Sequence, residues 1–287
     1  MAQQRIGRLQ WGDLQIGPGS RYHVTAVEGL DDMPDIRSDD MERPGQHGDY
    51  TGPDYVGARV IQLGLGLRGD SPDELRALTL ALRAATQPQR QPEPLLLLDQ
   101  DTLVYGKIRR RSIPYDAEHL WSTGTAALEV YCADPYLYGL EERSASTVAY
   151  SPAAGRTYPL VYSGGGRTFG SAGQSGRITA TNDGDSPAYP VLRLDGPIAN
   201  PSIEQINTGG GLTIDATLGD GEFLLIDTRT RAVLYMGTSP RRSWVRAGAT
   251  WPLFMPGRND LAYRGTALPG SPGQQSLLTV TWRDTSL

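Results

Sequence analysis

The sequence predicts a mostly β protein with two domains, and three observations lead to this fold class. Of the 287 residues, 35 are Gly and 21 are Pro, whereas the two together make up roughly 12% of an average protein. Because each Gly or Pro inside a helix costs roughly 1–3 kcal/mol, a helical bundle is excluded. Short runs in which apolar and polar residues alternate recur along the chain, as they do in half-buried strands. The length favours two domains of roughly 100–200 residues each.

Residues 1–140 are predicted to form the first domain, in which strands surround one helix. Arg59–Arg68 alternates apolar and polar residues, like a strand with one buried face. The helix is predicted to begin after Ser71, because Ser71 and Glu74 form a capping box around Pro72, and to end where the next proline follows its last apolar position. Further strands are predicted at Leu95–Leu98, Thr102–Arg109 and Thr125–Ala133.

A polar stretch, Asp31 to Tyr55, precedes the strand that leads into the helix. It contains three prolines and many carboxylates, and its apolar residues show no periodicity. We interpret it as a long loop. Loops of this length inside a compact domain are usually functional or disordered, so the stretch is a candidate functional segment.

The second domain is predicted to be a β-sandwich of jelly-roll type at residues 177–287. The chain leaves the first domain through Asp134–Gly139, and residues 141–176, which are rich in Ser, Ala and Gly, are predicted to form a linker and domain entrance. Beyond them, short alternating runs recur between Gly, Asp, Asn and Pro turns. The runs are Ile178–Thr181, Val191–Leu194, Leu212–Ile214, Phe223–Ile226, Val233–Met236 and Leu277–Trp282.

The charge and hydropathy of the chain exclude several further classes. The formal net charge is −5, whereas a dedicated nucleic-acid-binding protein carries a basic stripe. The longest apolar run, Leu95 to Leu98, is far shorter than the roughly 20 residues that cross a bilayer, so no membrane segment is expected. The N-terminus has no apolar signal region, and we expect folding in a cytosol. Cys132, the only cysteine, cannot form an intrachain disulfide and lies on an apolar strand face, as a core thiol does.

The motif Gly64–Gly69 reads G-x-G-x-x-G, but it does not predict a dinucleotide site. In such a site the glycines lie in the turn between a strand and a helix, whereas here the first two fall inside the predicted strand. No nucleophile elbow or H-E-x-x-H pair occurs, and His23, His47 and His119 lack the spacing of metal ligands. We therefore predict a protein that is not an enzyme, with no catalytic residue, cofactor or metal site. The carboxylates of a glycosidase can lie far apart in sequence, so that class stays open.

Three aromatic residues of the second half are candidates for contact with a glycan. They are Trp244, Trp251 and Tyr263. Aromatic rings stack on sugars, but in a β-sandwich they more often belong to the core. Both interpretations stay open from the sequence alone.

Several short motifs, in their order along the chain, resemble the distal tail protein family of siphophages, the long-tailed, non-contractile bacteriophages, whose members are often called minor tail proteins. The most specific block is the strand from Ala126 that leaves through Asp-Pro-Tyr-Leu-Tyr-Gly139. The resemblance covers nearly the whole chain. The other matching segments are Gly57–Leu63, the helix with Leu75 and Leu78, Leu95–Leu98, Gly106–Arg109, Asn182–Asp185, Ala188–Pro190, Gly196–Pro201, Gly221–Asp227, Trp251 and Pro256–Asn259.

The resemblance implies a fold, an assembly and a role. The first domain would be a tail-tube-like β-barrel or sheet with one flanking helix, and the second a galectin-like or carbohydrate-module-like β-sandwich. Six copies would close into a hexameric ring at the distal end of the virion tail, joining the major tail tube protein to a tail-tip fibre or baseplate hub protein. DNA would pass through the ring without specific binding, and the protein would be a structural component assembled in the host cytoplasm. The alternative is a carbohydrate-binding module that recognises a host cell-wall glycan.

Two hypotheses depend on this resemblance. The polar stretch would become ordered against a neighbouring subunit, because alone it is too polar to bury itself. The ring lumen would carry net negative charge, so that DNA slides through it. The candidate inter-subunit residues of the polar stretch are Asp31, Asp39, Asp40, Glu42, Tyr50 and Tyr55.

Overall fold

The computed structural model describes residues 7–115, 122–152, 173–268 and 275–287. The chain divides into two compact units, Met1–Leu140 with Leu287, and Glu141–Ser286. Most of the predicted linker and domain entrance lies outside the described residues, as does His119. Each unit is therefore described by itself.

Unit 1 is built on one antiparallel sheet. Its strands are β1 (Leu9–Trp11), β2 (Leu14–Ile16), β3 (Tyr22–Glu28), β4 (Ile36–Ser38), β5 (Met41–Glu42), β6 (Asp49–Tyr50), β7 (Asp54–Val56), β8 (Arg59–Arg68), β9 (Glu93–Leu97), β10 (Thr102–Ser112), β11 (Thr123–Cys132) and β12 (Leu137–Gly139). The main sheet has the order β2-β1-β9-β10-β11-β8-β3, with β12 also beside β10. The predicted strands of this unit are all present within it.

Strand β10 connects the two halves of this sheet. Its first residues, Thr102–Gly106, pair with β9, and Lys107–Ser112 pair with β11, with a register shift between Ile108 and Arg110. β11 then pairs with β8 over ten residues, from Arg68 opposite Thr123 to the strand's other end. Residues from both halves pack in one core, so the sheet curls around its apolar face. That core includes Leu9, Trp11, Ile61, Leu63, Leu65, Leu67, Leu95, Leu97, Leu128 and Val130.

The single α-helix of the described chain, α1 (Pro72–Ala85), packs on this core. Ser71 caps it as predicted, since its hydroxyl accepts the amide N–H of Glu74 at 3.2 Å. Leu75 and Leu82 are buried. Among the described residues, no helix has the length and hydropathy that a membrane crossing requires.

The polar stretch is a β-ribbon, and its interpretation as a structureless loop is wrong. β4 pairs with β7 and β5 pairs with β6, so the segment forms one long antiparallel hairpin. Hydrophobic periodicity arises when one face of a strand is buried, and both faces of this ribbon are exposed. The strands therefore leave no alternation in the sequence. We call residues 31–56 the arm.

Unit 2 consists of two antiparallel sheets. Its strands are β13 (Arg143–Val148), β14 (Arg177–Asn182), β15 (Val191–Asp195), β16 (Ile198–Gln205), β17 (Gly210–Thr213), β18 (Thr217–Leu218), β19 (Phe223–Asp227), β20 (Ala232–Tyr235), β21 (Ser239–Pro240), β22 (Gly257–Thr266), β23 (Leu277–Trp282) and β24 (Thr285–Ser286), with a 3-10 turn at Arg242–Trp244. One sheet has the order β13-β23-β15-β19-β20-β21, and the other β14-β22-β16-β17 with β18 beside β16.

The two sheets of unit 2 share one hydrophobic core, as the layers of a sandwich do. Leu192 and Val280 enter it from the first sheet, and Ile178 and Leu261 enter it from the second. Phe254 is fully buried between strands. In the described residues, unit 2 therefore consists of two sheets packed around one core.

Candidate interaction surfaces

The arm presents apolar and acidic side chains to solvent. Met33, Met41 and Tyr50 are 70%, 68% and 58% exposed, which is unusual for large apolar residues grouped in one segment. The arm carries eight carboxylates and two arginines. All six candidate inter-subunit residues lie in it and are exposed: Asp31, Asp39, Asp40, Glu42, Tyr50 and Tyr55.

Within the arm, one carboxylate has a structural role. Asp40 accepts the amide N–H of Gly52 at 2.8 Å across the ribbon. Hydrogen bonds from Ser38 and from that amide lower the pKa of Asp40. The carboxylate therefore stays ionised and helps to hold the hairpin closed.

Residues 29–32, which we call the root of the arm, are held in place by Arg59. The side chain of Arg59 is only 2% exposed. Its guanidinium donates to the carbonyl oxygens of Gly29 (3.2 Å), Leu30, Asp32 (2.8 Å) and Pro135 (2.8 Å). Burial lowers the pKa of Arg59. The side chain thus satisfies a set of carbonyl groups where the chain enters the arm and where it leaves β11.

The backbone at this root depends on a glycine. Gly29 has a φ of +79°, and a Cβ there would lie 2.1 Å from the carbonyl oxygen of Val60. The sequence analysis missed both Gly29 and Arg59. The sequence signal that could have identified Arg59 is the alternation of β8, because Arg59 lies on the same inward-facing side of the strand as Ile61 and Leu63.

The main sheet of unit 1 leaves two strand edges without a ladder partner in the described part of the chain. β3 pairs along one side with β8, and no partner is described along its other side between Val24 and Glu28. On β10, the pairing with β9 ends at Gly106, so Ile108–Ser112 pairs with β11 alone. Unpaired edges present N–H and C=O groups that another chain can bond.

The glycines of the G-x-G-x-x-G motif serve strand packing. Gly64 and Gly66 lie inside β8. A Cβ on Gly64 would come within 2.6 Å of Thr25 Oγ1, and one on Gly66 within 2.1 Å of His23 Nε2. The glycines make room for β3 side chains and do not form a phosphate-binding turn.

Metal-ligating and nucleophilic groups do not come together in the described residues. No cluster of three or more His, Cys, Asp or Glu side chains could hold a metal ion there. Cys132 is buried, and burial raises the pKa of its thiol to about 12. A thiol that stays protonated is a weak nucleophile, and Cys132 packs in the core of unit 1.

Of the three candidate glycan contacts of unit 2, Tyr263 does not lie on the surface with the other two. Tyr263 is fully buried, and its hydroxyl pairs with Ser276. Burial raises the pKa of Tyr263 to about 12. Its ring cannot stack on a sugar, so this candidate belongs to the core. Trp244 and Trp251 are half-buried beside the core.

Arginines cover the rings of both tryptophans. The guanidinium carbon of Arg241 lies 5.5 Å from the Trp244 ring centroid, and that of Arg242 lies 4.3 Å from the Trp251 ring centroid. These are cation–π distances. A guanidinium on a ring face competes with a neutral sugar for that face.

These pairs belong to a larger surface. The Arg242 guanidinium donates to the carbonyl oxygen of Arg231 at 2.6 Å, which joins the 3-10 turn to the β19–β20 turn. On that β-turn, Arg229 lies over the ring of Tyr189 at 5.7 Å. We call this surface the arginine face; it comprises Tyr189, Arg229, Arg231, Arg241, Arg242, Trp244, Arg246 and Trp251.

Comparison with known proteins agrees with this fold. Residues 183–283 match the family model of the siphovirus-type tail component, C-terminal domain. The crystal structure of Dit (gp 19.1) of phage SPP1, described as a paradigm of the hub adsorption apparatus in phages that infect Gram-positive bacteria, is 14% identical with a TM-score of 0.65; the alignment covers 93% of this chain and 94% of that chain. A chain of the phage P2 baseplate in its activated, Ca-containing conformation is 10% identical with a TM-score of 0.47, over 92% and 91% of the two chains. No curated protein sequence matches the chain.

The family match and the structural likeness cover different parts of the chain. The family model falls within unit 2, and the likeness to SPP1 Dit extends the shared fold over nearly all of both units. The resemblance to the siphophage distal tail proteins is therefore confirmed: residues 183–283 match the siphovirus-type tail component, C-terminal domain, and the fold of the chain is similar to that of SPP1 Dit.

Proposed function

We propose that this protein is the distal tail adaptor of a siphophage. Six copies form a ring that joins the tail tube protein to a tail-tip fibre or baseplate hub protein at the distal end of the virion. The assembly takes place in the host cytoplasm, and the role is structural. The observation that carries the proposal is that unit 1 has two open strand edges and an exposed arm, on a fold shared with a phage hub protein.

A ring requires two different, complementary surfaces on each copy. Heterologous contacts of this kind form a closed ring when the rotation between neighbouring copies is a whole fraction of a full turn. The outer edge of β3 and the distal edge of β10 lie at opposite margins of the β10-β11-β8-β3 part of the sheet. An edge of one copy can therefore extend the sheet of the next.

The arm supplies a further contact between neighbours. Its apolar side chains are exposed in the single chain, and burying them against another copy removes apolar area from water. Hydrogen exchange tests this contact. We expect the arm amides to be protected in the ring and to exchange fast in the monomer; fast exchange in both states would contradict the arm's role.

Imaging tests the ring itself. We expect mass measurement of the purified full chain to give six copies and negative-stain images to show closed rings. A chain that stays monomeric at high concentration, alone and with a tail tube protein, would contradict the proposal. A ring structure also tests the proposed negative lumen through which DNA passes, because a basic lumen would contradict it.

A second candidate function is recognition of a host cell-wall glycan by unit 2, through a galectin-like or carbohydrate-module-like site. The half-exposed rings of Trp244 and Trp251 favour it, and the arginines over them weigh against a neutral sugar. A monomer that binds purified cell-wall glycan, and loses binding in Trp251→Ala, would support this candidate over the ring.

A further inference from the structure

Both ends of the arm come together at Arg59. The chain enters the arm through the root, and the returning end of the arm, at residue 56, closely precedes Arg59 in the sequence. The amide N–H of Gly57 donates to the carbonyl oxygen of Asp35 at 2.6 Å, and this bond closes the base of the ribbon. Because the two strands are joined there, a movement of the ribbon acts on the root and on the backbone that leads to Arg59.

The guanidinium of Arg59 divides its donors between two segments of the chain. Its Nη1 donates to carbonyl oxygens of the root, those of Gly29, Leu30 and Asp32. Its Nε donates to the carbonyl oxygen of Pro135 at 2.8 Å. A guanidinium is planar, and its N–H groups have fixed directions. The group therefore cannot follow a shift of the root without weakening its bond to Pro135, and hydrogen bonds from charged donors are among the stronger ones.

Pro135 belongs to residues 134–139, which we call the exit segment because they lead to the end of unit 1. The carboxylate of Asp134 accepts the hydroxyl of Tyr138 at 2.5 Å and the amide N–H of Tyr136 at 3.4 Å. β12 lies within this segment and pairs with the start of β10. Because these bonds tie the segment together, a shift at Pro135 is passed on to Tyr138 and β12.

The root itself has little room to absorb a shift. At Gly29, where φ is +79°, a Cβ would lie 2.1 Å from the carbonyl oxygen of Val60, so the backbone of the root packs directly on β8. The amide N–H of Gly29 also donates to the carboxylate of Asp32 at 3.1 Å. Closely packed protein interiors have low compressibility and transmit strain. A displacement of the root is therefore passed on to Arg59.

We propose that Arg59 couples the arm to the exit segment. A displacement of the root shifts the guanidinium, and the exit segment follows through the carbonyl group of Pro135. By reciprocity, a change in the exit segment acts on the root to the same extent. The coupling is a property of the single chain and does not depend on the proposed ring. The position of the arm therefore influences the segment through which the chain leaves unit 1.

Amide hydrogen exchange in the full chain tests the coupling in both directions. Gly29→Ala disturbs the root through its added Cβ, and Tyr138→Phe disturbs the exit segment by removing a hydroxyl donor. We expect Gly29→Ala to speed exchange in the exit segment about tenfold, and Tyr138→Phe to speed exchange in the root by a similar factor. Gly48→Ala, at a φ of +86° far from the root, is the matched control and should leave the exit segment unchanged.

The same two variants in an Arg59→Met background show whether the guanidinium carries the coupling. There we expect each variant to change exchange on its own side only. If Arg59→Met does not fold, Arg59→Lys replaces it, because an ammonium keeps the charge but lacks the planar fork that reaches two segments. If Gly29→Ala does not fold, Asp32→Ala replaces it, since this change removes the side-chain acceptor of the Gly29 amide.

Three results would overturn the inference. One is an exit segment whose exchange Gly29→Ala leaves unchanged. Another is a coupling that persists at full strength in the Arg59→Met background, which would assign it to other contacts. The third is an equal acceleration of the amides of α1, which would show that the variants loosen unit 1 as a whole. Faster exchange that is confined to the root and the exit segment, and that requires Arg59, would support the inference.

Discussion

The two units of this chain use their surfaces in different ways. In unit 2, two sheets cover each other's apolar faces, and aromatic residues such as Tyr263 and Phe254 are fully buried. In unit 1, the edges of β3 and β10 have no ladder partner among the described residues of a single curled sheet, and the arm is exposed. A self-contained core gives stability to one chain, whereas open edges and exposed apolar groups gain free energy when another chain covers them. The difference supports the proposal that unit 1 is the assembling part.

The largest expected effect concerns the core of unit 2. Phe254→Ala removes a fully buried ring that packs on Trp282, and we expect it to lower the free energy of unfolding of this unit by about 3–5 kcal/mol. Denaturant unfolding followed by tryptophan fluorescence measures the change. Met255→Ala, at the exposed neighbouring position, is the control and should have little effect. Equal losses in both variants would show that unit 2 is not packed as described.

The next effect concerns the root of the arm in unit 1. Arg59→Met leaves the carbonyl groups of Gly29, Leu30, Asp32 and Pro135 without their donor, and we expect a loss of about 2–4 kcal/mol. Hydrogen exchange should also become faster at residues 29–32. The matched substitution Arg68→Met, at the exposed end of the same strand, should leave both unchanged. An unaltered root in Arg59→Met would contradict the anchoring role.

We expect alkaline pH to destabilise the two units from different pH values, because each unit buries one titratable group. Burial raises the pKa of Cys132 from 9.0 to about 12 and that of Tyr263 from 10.0 to about 12. Because the folded state keeps both protons, each group contributes stability below its unfolded pKa, and that stability falls by about 1.4 kcal/mol per pH unit as the pH rises toward 12.

We therefore expect unit 1 to lose stability from about pH 9 and unit 2 from about pH 10. Unfolding of the two units followed separately by hydrogen exchange measures both transitions. Cys132→Val should flatten the alkaline loss of unit 1, and Tyr263→Phe that of unit 2. Curves that keep their slopes in these variants would assign the loss to other groups.

The smallest expected effect is at the start of α1. Ser71→Ala removes the hydroxyl that accepts the Glu74 amide and should destabilise unit 1 by about 1 kcal/mol. Thermal melting measures the loss. Ser71→Asp, which keeps a capping oxygen, should restore most of it, and a melt that Ser71→Ala leaves unchanged would assign the helix start to packing alone.

Elements with one buried face could be predicted from the sequence. β8 shows its alternation because its inner residues pack in the core, and α1 combines a cap with an apolar stripe. β16 and β22 of unit 2 were missed, since Pro201 interrupts the first and β22 buries neighbouring residues such as Leu261 and Ala262 together. Neither pattern has the simple period of two.

The surfaces were predicted less completely than the cores. The arm was identified as a segment but not as a ribbon, because no buried face marks its strands. The place of Tyr263 in the core was not predicted, because β22 buries Leu261, Ala262 and Tyr263 in succession and so shows no alternation in the sequence. The pairing of arginines with Trp244 and Trp251 depends on turns that bring separate segments together, so no local pattern contains it.

The anchor at Arg59 also has a consequence for how the chain folds. Its hydrogen bonds join residues 30 and 76 positions apart in sequence, and contacts of such separation form only after the intervening loops are closed. The arm of a newly made chain therefore stays unrooted until β8 and β11 are in place. Under the proposed function, only subunits whose first unit has folded would present a rooted arm for assembly.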